Sequence, residues 1–246
     1  MKLALRSALA ASVLALAACS QAGAGDPSKA EIEEIVRAYI LENPEIIREA
    51  LIELDRLEQQ AELDRSRDAI ADLSDQIFRD PRDYAVGPKD AKVQVVEFFD
   101  YNCGYCKRST DFIQETVDKY PDDVRIVFKE LPVLTGPDGT SYIAAQAALA
   151  AARQGKYNKM HFALMGERAL TKDRILKVAR DNGIDADKLA TDMESAEIKR
   201  QIQDNLALAN RIPALTGTPF FIVNDQFVNG GYTDRVQGFI EDELKG

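Results

Sequence analysis

The chain has 246 residues, a formal net charge of −10 and a hydrophobic fraction of 46%. The negative charge argues against a nucleic-acid partner, because the phosphate backbone selects for basic surfaces. Nowhere does the sequence reach the about 18 consecutive apolar residues that a membrane-spanning helix needs. The length suits one ordinary hydrophobic core with a smaller appendage.

Residues 1–24 have the pattern of an export signal peptide. Lys2 and Arg6 form a basic start, and an apolar stretch follows from Ala8 to Ala18. Its end fits two kinds of processing. Residues 16–19 have the form of a lipobox, in which Cys19 would be lipidated, whereas residues 22–24 suit an ordinary A-x-A cleavage. Either outcome predicts a periplasmic protein, anchored to the membrane as a lipoprotein in the first case.

Residues 27–83 are predicted to form a helical N-terminal domain. Ser28 and Glu31 have the spacing of a capping box, and Asn43-Pro44 separates two helices. The second helix carries an apolar stripe whose members are Ile47, Leu51, Leu54, Leu57 and Ala61. The catalytic domain of the same chain could cover this stripe, or the stripe could associate with copies of itself. A break at residues 80–83 is predicted to mark the domain boundary.

From residue 84 onwards the pattern is that of a mixed α/β domain. A strand over 93–99, a helix over 103–119 and a strand over 124–131 predict a β-α-β unit. A helical insertion is expected over about 140–210. Strand character returns only at 219–223 and 226–229, before a final helix at 234–244.

Cys103 and Cys106 are separated by Gly104 and Tyr105, directly behind the predicted strand and at the start of a helix. A thiol at a helix N-terminus meets unpaired N–H groups and the positive end of the helix dipole, which favour the thiolate. A second cysteine one turn on can resolve the mixed disulfide that the first one forms.

Three other interpretations of this pair stay open at the level of the motif. A structural disulfide would close too short a loop to stabilise the fold much. A structural zinc site wants four ligands, and the chain after the signal peptide adds only His161 to the two cysteines. Copper(I) needs no more than two soft thiolates, so Cys103 and Cys106 would suffice for it.

Two stretches, from Ala91 to Lys107 and from Gly217 to Val223, resemble the thioredoxin superfamily, specifically its DsbA-like branch with a helical insertion. The resemblance covers 84–246 and implies a thioredoxin fold with an inserted helical subdomain. The segment 32–60, with Leu41-Glu42-Asn43-Pro44-Glu45, resembles the N-terminal domain of the suppressor-of-copper-sensitivity protein C (ScsC) family. That second resemblance implies a helical oligomerisation segment and a homo-oligomer, a trimer in some members.

The resemblance also implies roles for individual residues. Cys103 matches the attacking cysteine and Cys106 the resolving one, with Gly104 and Tyr105 as the variable pair that tunes the thiolate. Pro219 matches the cis-proline that faces the disulfide. Thr218, the residue before it, would pair through its backbone with a substrate strand.

Glu97 lies where the family keeps a buried acid beneath the resolving cysteine. Burial would raise its pKa and allow it to accept the proton of Cys106. Lys129, in the neighbouring strand, is expected to pair with Glu97. The alternative is that Glu97 faces solvent on the other side of its strand.

The sequence as a whole predicts an exported protein thiol:disulfide oxidoreductase whose only redox group is the Cys103–Cys106 pair. Its expected partners are exported proteins and a membrane protein that reduces or oxidises the pair. Isomerase activity is favoured over oxidase activity, because an oligomeric N-terminus would place several sites around one substrate. A DsbA-type dithiol oxidase and a copper(I)-binding copper-tolerance protein are the alternatives.

Overall fold

A computed structural model describes residues 27–246. The predicted signal peptide and Cys19 lie outside these residues. The chain divides into two compact units, one ending at Asp55 and the other running from Arg56 to Gly246. The predicted domain boundary at residues 83 and 84 differs from this division, because Ile70, Leu73 and Ile77 are buried in the core of the second unit.

The first unit contains helix α1 (Lys29–Glu42) and the start of helix α2 (Glu45–Asp72). The predicted capping box is present at α1, where Ser28 Oγ accepts from Glu31 N–H and Glu31 Oε2 accepts from Ser28 N–H at 2.8 Å. No residue of α1 is buried. A helix with an apolar stripe and no buried residue leaves that stripe in contact with water.

The second unit is built on a five-stranded sheet. Its strands are β1 (Tyr84–Val86), β2 (Val93–Phe99), β3 (Val124–Glu130), β4 (Phe220–Val223) and β5 (Gln226–Asn229), in the order β1-β3-β2-β4-β5. Only β2 and β3 pair in parallel. Their carboxyl ends therefore meet at one edge of the sheet, with helix α4 (Gly104–Lys119) crossing between them. The predicted thioredoxin fold is confirmed.

Five helices interrupt the sheet between β3 and β4, as the sequence predicts: α5 (Thr140–Ala152), α6 (Tyr157–Met165), α7 (Lys172–Asp181), α8 (Ala186–Met193) and α9 (Ala196–Ala209). The alanine-rich α5 is buried along most of its length, since its small side chains let α6, α8 and α9 pack closely around it. The short helix α3 (Ser74–Phe78) and the final helix α10 (Thr233–Lys245) complete the unit.

Alternation along β2 divides the core between the two faces of the sheet. Val95 and Phe99 face one cluster, which also holds the two cysteines and Ile113 of α4. Val96 and Phe98 face the other cluster, with Ile70 of α2. Successive side chains of a strand point to opposite faces, so a shift of one position decides which cluster a residue joins. Within residues 27–246, no helix is long and apolar enough to cross a membrane.

Candidate active site

Cys103 is the N-cap of α4 and lies at the edge of the sheet where β2 ends. Its N–H donates to the carbonyl oxygen of Asp100 at 3.0 Å, and its own carbonyl oxygen accepts from Lys107 N–H at 3.1 Å. The chain thus makes a tight turn out of β2 and begins the helix at once. This places the sulfur at the positive end of the α4 dipole.

The two sulfurs have opposite electrostatic environments. The Cys106 thiol donates to the Cys103 sulfur and lowers the pKa of Cys103 to about 5, with a further contribution from the Cys106 backbone N–H. Burial raises the pKa of Cys106 far above its usual range, and its hydrogen bond to Cys103 and the charge of Glu97 act in the same direction. Both cysteines are free thiols, 6% and 0% exposed respectively. At neutral pH the pair therefore holds one thiolate, on Cys103, and one protonated thiol.

The loop before β4 faces the attacking sulfur. The peptide bond between Thr218 and Pro219 is cis. In its thiol form Cys103 donates to the carbonyl oxygen of Thr218 at 3.1 Å. The carbonyl oxygen of Pro219 accepts from Gly230 N–H at 2.9 Å, which ties this loop to the end of β5. The two ends of the site, 103–106 and 218–219, are thus in direct contact.

Glu97 is buried on the same face of the sheet as the cysteines, at 2% exposure. Its partners across the neighbouring strands are Phe128 and Phe221, and its Oε1 atom has no hydrogen-bond partner. Burial, with a smaller contribution from the Cys103 charge, raises the pKa of Glu97 to about 8. The alternative that Glu97 faces solvent is wrong. In its ionised form, which predominates above pH 8, this carboxylate can accept a proton from Cys106.

The predicted pairing of Lys129 with Glu97 is wrong. The parallel register places Phe128 opposite Glu97 and Lys129 opposite Phe98. Lys129 therefore points to the other face of the sheet, where its ammonium group forms a fully buried ion pair with Asp83 and donates to the carbonyl oxygen of Gln76. The predicted pairing put Lys129 opposite Glu97, one position away from the observed register, and in an alternating strand one position reverses the face. Its role is to anchor the segment before β1.

The variable pair contributes to the rim of the site. Tyr105 is 60% exposed, and Arg108 lies over its ring at 4.2 Å from the centroid. The ring also lies against Gly231, where a Cβ atom would come within 3.2 Å of it. The Cα of Gly104 is open, since a Cβ atom there would meet only the end of the Arg108 side chain, at 3.6 Å.

Sequence reasoning missed a buried polar cluster that adjoins the cysteine turn. The hydroxyl groups of Tyr101 and Tyr157 donate to Glu130 Oε1 at 3.0 and 2.8 Å. His161 lies 3.1 Å from the Tyr101 hydroxyl and packs between Phe99 and Phe128. Burial raises the pKa of Glu130 well above its usual range and lowers that of His161 to about 3. Each residue alone resembles an ordinary strand, turn or helix position, so no local signal marks the cluster.

The donor set of the cysteine pair bears on the copper(I) interpretation. Two-coordinate copper(I) would need both sulfurs as thiolates, whereas burial holds Cys106 in its protonated form. Within residues 27–246, no cluster of three or more His, Cys, Asp or Glu side chains could hold a metal ion, which does not bear on a two-thiolate site. Copper(I) binding by Cys103 and Cys106 stays a prediction.

Comparison with known proteins identifies the families to which the two parts of the chain are similar. Residues 94–241 match the DSBA-like thioredoxin domain, and residues 29–61 match the copper resistance protein ScsC N-terminal domain. A solved thioredoxin-like oxidoreductase from Silicibacter pomeroyi DSS-3 is 39% identical, with a TM-score of 0.64 over 70% of this chain and 98% of that one. Proteus mirabilis ScsC in a transitional conformation is 26% identical, with a TM-score of 0.64 over 89% of this chain and 98% of that one.

Among curated proteins, the Na(+)/H(+) antiporter NhaA of Herminiimonas arsenicoxydans is 31% identical over 166 residues, which are 67% of this chain and 26% of the antiporter. The chain spans about a quarter of the length of the curated relatives that it matches. Since the DSBA-like model matches more than half of the chain, the protein belongs to the DSBA-like thioredoxin domain family, with an N-terminal segment of the ScsC type.

Proposed function

We propose that this chain catalyses thiol–disulfide exchange on exported polypeptides. The observation that carries the proposal is the asymmetry of the two sulfurs. Cys103 is a thiolate with a pKa of about 5, next to Cys106, whose pKa is raised by burial. A structural disulfide gains nothing from such an asymmetry, whereas an exchange catalyst needs one nucleophile that is ready and one that is held back.

The reaction follows from this arrangement. The Cys103 thiolate attacks one sulfur of a substrate disulfide, a Cys103–substrate bond forms, the substrate S–S bond breaks, and the other substrate sulfur leaves as a thiolate. Cys106 then loses its proton to Glu97 and attacks the Cys103 sulfur. The substrate leaves with both sulfurs reduced, and the chain keeps the two-electron oxidised Cys103–Cys106 disulfide. The reverse sequence oxidises a dithiol. If the freed substrate thiolate instead attacks another substrate disulfide or Cys103 itself, the result is isomerisation.

The surroundings of the site favour a polypeptide substrate. Large side chains at the rim are exposed although they are apolar or aromatic, namely Tyr105 (60%), Val133 (47%), Leu134 (53%) and Tyr232 (63%). Tyr105 borders Gly231, the residue before Tyr232, and Leu134 N–H donates to Asp100 Oδ2, so both exposed segments adjoin the cysteine turn. Exposed apolar surface of this kind is typical of sites that bind other polypeptides.

The proposal is tested with Cys103→Ser and Cys106→Ser in the full chain. Reduction of insulin and refolding of a scrambled disulfide protein are measured side by side. Cys103→Ser is expected to abolish both activities. Cys106→Ser is expected to accumulate the mixed disulfide, detected by mass spectrometry, because its resolving thiol is absent. Normal exchange by Cys103→Ser would refute the proposal.

Isomerase or reductase activity is favoured over oxidase activity, because the first unit suits self-association. Its exposed large apolar side chains, between 45% and 71% accessible, are Ile32, Ile35, Val36, Tyr39, Leu41, Ile47, Leu51, Ile52 and Leu54. The match of residues 29–61 to the ScsC N-terminal domain supports further copies of the chain as the occupants of this surface, in a homo-oligomer such as a trimer. Several active sites would then face one substrate.

Self-association is tested without truncation by the double substitution Leu51→Glu and Leu54→Glu. Buried charges at an apolar interface are unfavourable, so light scattering is expected to report a monomer. The control is Gln59→Glu, which adds a single negative charge, half the charge of the double variant, at an exposed position outside the stripe. A monomeric variant that reduces insulin normally but isomerises scrambled protein poorly supports the isomerase assignment. Equal isomerisation by monomer and oligomer contradicts it.

The periplasmic location and the membrane redox partner are tested in the cell. Acid trapping followed by alkylation reports whether the Cys103–Cys106 pair is kept reduced, as an isomerase requires, or oxidised, as a DsbA-type oxidase requires. Cys19→Ser, followed by membrane and periplasmic fractionation, tests lipidation. A pair that is oxidised at steady state would replace the isomerase assignment with the oxidase one.

A further inference from the structure

We propose that Asp100 is a positioning residue for Cys103. Its buried side chain fixes the turn that leads from β2 into α4 and ties that turn to the loop after β3 and to the first turn of α5. The proposal deepens the proposed exchange function and rests on it, since it concerns how the nucleophile of that reaction is held in place.

Every oxygen atom of Asp100 has a donor close to the cysteine turn. Oδ1 accepts from Asn102 N–H and from the Ser141 hydroxyl, both at 2.7 Å, and Oδ2 accepts from Leu134 N–H at 2.9 Å. The backbone carbonyl oxygen accepts from Cys103 N–H at 3.0 Å. With 1% of its surface exposed, Asp100 relies on these groups in place of water.

The donors come from three separate segments, which makes Asp100 a junction. Asn102 belongs to the turn itself, whereas Leu134 and Ser141 lie 34 and 41 positions further along the chain. Asn102 closes the network, because its Nδ2 donates to Ser141 Oγ at 2.9 Å. Ser141 is fully buried and both donates to Asp100 and accepts from Asn102. A satisfied buried network of this kind holds a single backbone geometry.

The chemistry of Cys103 depends on that geometry. Its thiolate is stabilised by donors at the start of α4, which act only over hydrogen-bond distances. A turn that moves would carry the sulfur away from them. The negative charge of Asp100 by itself destabilises a neighbouring thiolate. A direct charge effect therefore does not explain why a carboxylate lies beside Cys103. Positioning and direct charge therefore predict effects of opposite sign on Cys103.

The test uses Ser141→Ala in the reduced full chain, because this change removes one donor and leaves the Asp100 charge in place. Titration of thiolate absorbance at 240 nm is expected to show a rise in the Cys103 midpoint of about half a pH unit, a ~3-fold change in its ionisation constant. Ser141→Thr, which keeps the hydroxyl, is expected to restore the parent midpoint. Ser195→Ala is the matched control: Ser195 caps α9 by accepting from Ile198 N–H, so the change lowers thermal stability without moving the midpoint.

Asp100→Asn separates the two effects. It removes the charge and places an amide where two N–H groups and a hydroxyl group require acceptors. A raised Cys103 midpoint in both Asp100→Asn and Ser141→Ala supports positioning. A lowered midpoint in Asp100→Asn with an unchanged midpoint in Ser141→Ala means that Asp100 acts through charge alone, and overturns the proposal. Thiolate titration needs no disulfide substrate, so this result is independent of whether the chain exchanges disulfides in polypeptides.

Discussion

The largest contribution to the low pKa of Cys103 comes from one donor, the thiol of Cys106, and removal of that donor is the sharpest test of the site. Replacement by alanine, Cys106→Ala, deletes the largest contribution to the shift. A hydrogen bond to a charged group contributes about 1.5–3 kcal/mol, and one pKa unit corresponds to about 1.4 kcal/mol. The Cys103 pKa is therefore expected to rise by about 1–2 units from its present value of about 5.

The assay is the pH dependence of Cys103 alkylation by iodoacetamide in the reduced protein. At pH 5.5 a thiol of pKa about 5 is about three quarters ionised, whereas one of pKa about 6.5 is about one tenth ionised. The rate at this pH should fall several-fold in Cys106→Ala. Cys106→Ser is the matched control, because a hydroxyl group of nearly the same size keeps a donor beside the Cys103 sulfur and should preserve most of the low pKa.

Two results would refute the reasoning. If Cys106→Ala keeps a midpoint near 5, the backbone and the α4 dipole stabilise the thiolate without help from Cys106. If Cys106→Ser and Cys106→Ala shift equally, the loss of sulfur packing, and not the loss of a donor, causes the change.

Three further predictions concern the rest of the second unit. Since the pKa of Glu97 is about 8, the carboxyl group is protonated below that pH and cannot accept a proton. The rate of the resolving step should therefore increase as pH rises through 8. Glu97→Gln should abolish that pH dependence and slow resolution by about 100-fold. The measurement is the rate at which the mixed disulfide disappears in samples quenched over time. Lys129→Met leaves the buried Asp83 carboxylate without its ion-pair partner and should lower the free energy of unfolding, measured by urea titration, by about 3–5 kcal/mol. The pH profile of the resolving step should stay unchanged. A changed profile would mean that Lys129 takes part in the reaction. Ile77→Ala should cost about 2–5 kcal/mol, and Leu63→Ala, at an exposed position of α2 outside the stripe, well under that; equal costs would argue against a core that includes α3.

The local sequence was enough to predict most helices and strands of the second unit and the place of the two cysteines, whereas the thioredoxin fold was implied by the family resemblance. The β-α-β unit, the helical insertion and the two late strands all follow from apolar periodicity and turn residues, and the observed elements agree with them. The position of Cys103 at the start of α4 follows in the same way, because the apolar run of the strand ends just before the C-x-x-C and a helical pattern begins at it. The capping box at Ser28 is equally local, since both partners lie within one helical turn.

The sequence pattern did not predict that the C-terminal part of α2 belongs to the second unit. Charged residues break the apolar pattern of α2 after position 61, so its last turns look solvent-exposed in sequence. Ser66 and Ile70 are nevertheless buried, and Ser66 Oγ accepts from Ala214 N–H at 3.0 Å in the loop that leads towards Pro219. That contact joins residues 148 positions apart, which no helical periodicity encodes.

The sequence by itself thus determined that two cysteines lie at the start of α4 and that the first of them meets the N-terminus of that helix, since those positions lie within a few residues of one another. Only the tertiary structure decided which groups surround them. Because the register differs by one position from the predicted one, Lys129 lies on the face of the sheet opposite to Glu97, and Glu97 lies between Phe128 and Phe221. The donors of Asp100 converge from distant segments that meet only when β3 and α5 pack beside the end of β2. Short-range hydrogen bonds and helix dipoles can be inferred from neighbours in sequence, whereas facing partners depend on how separate elements align in space.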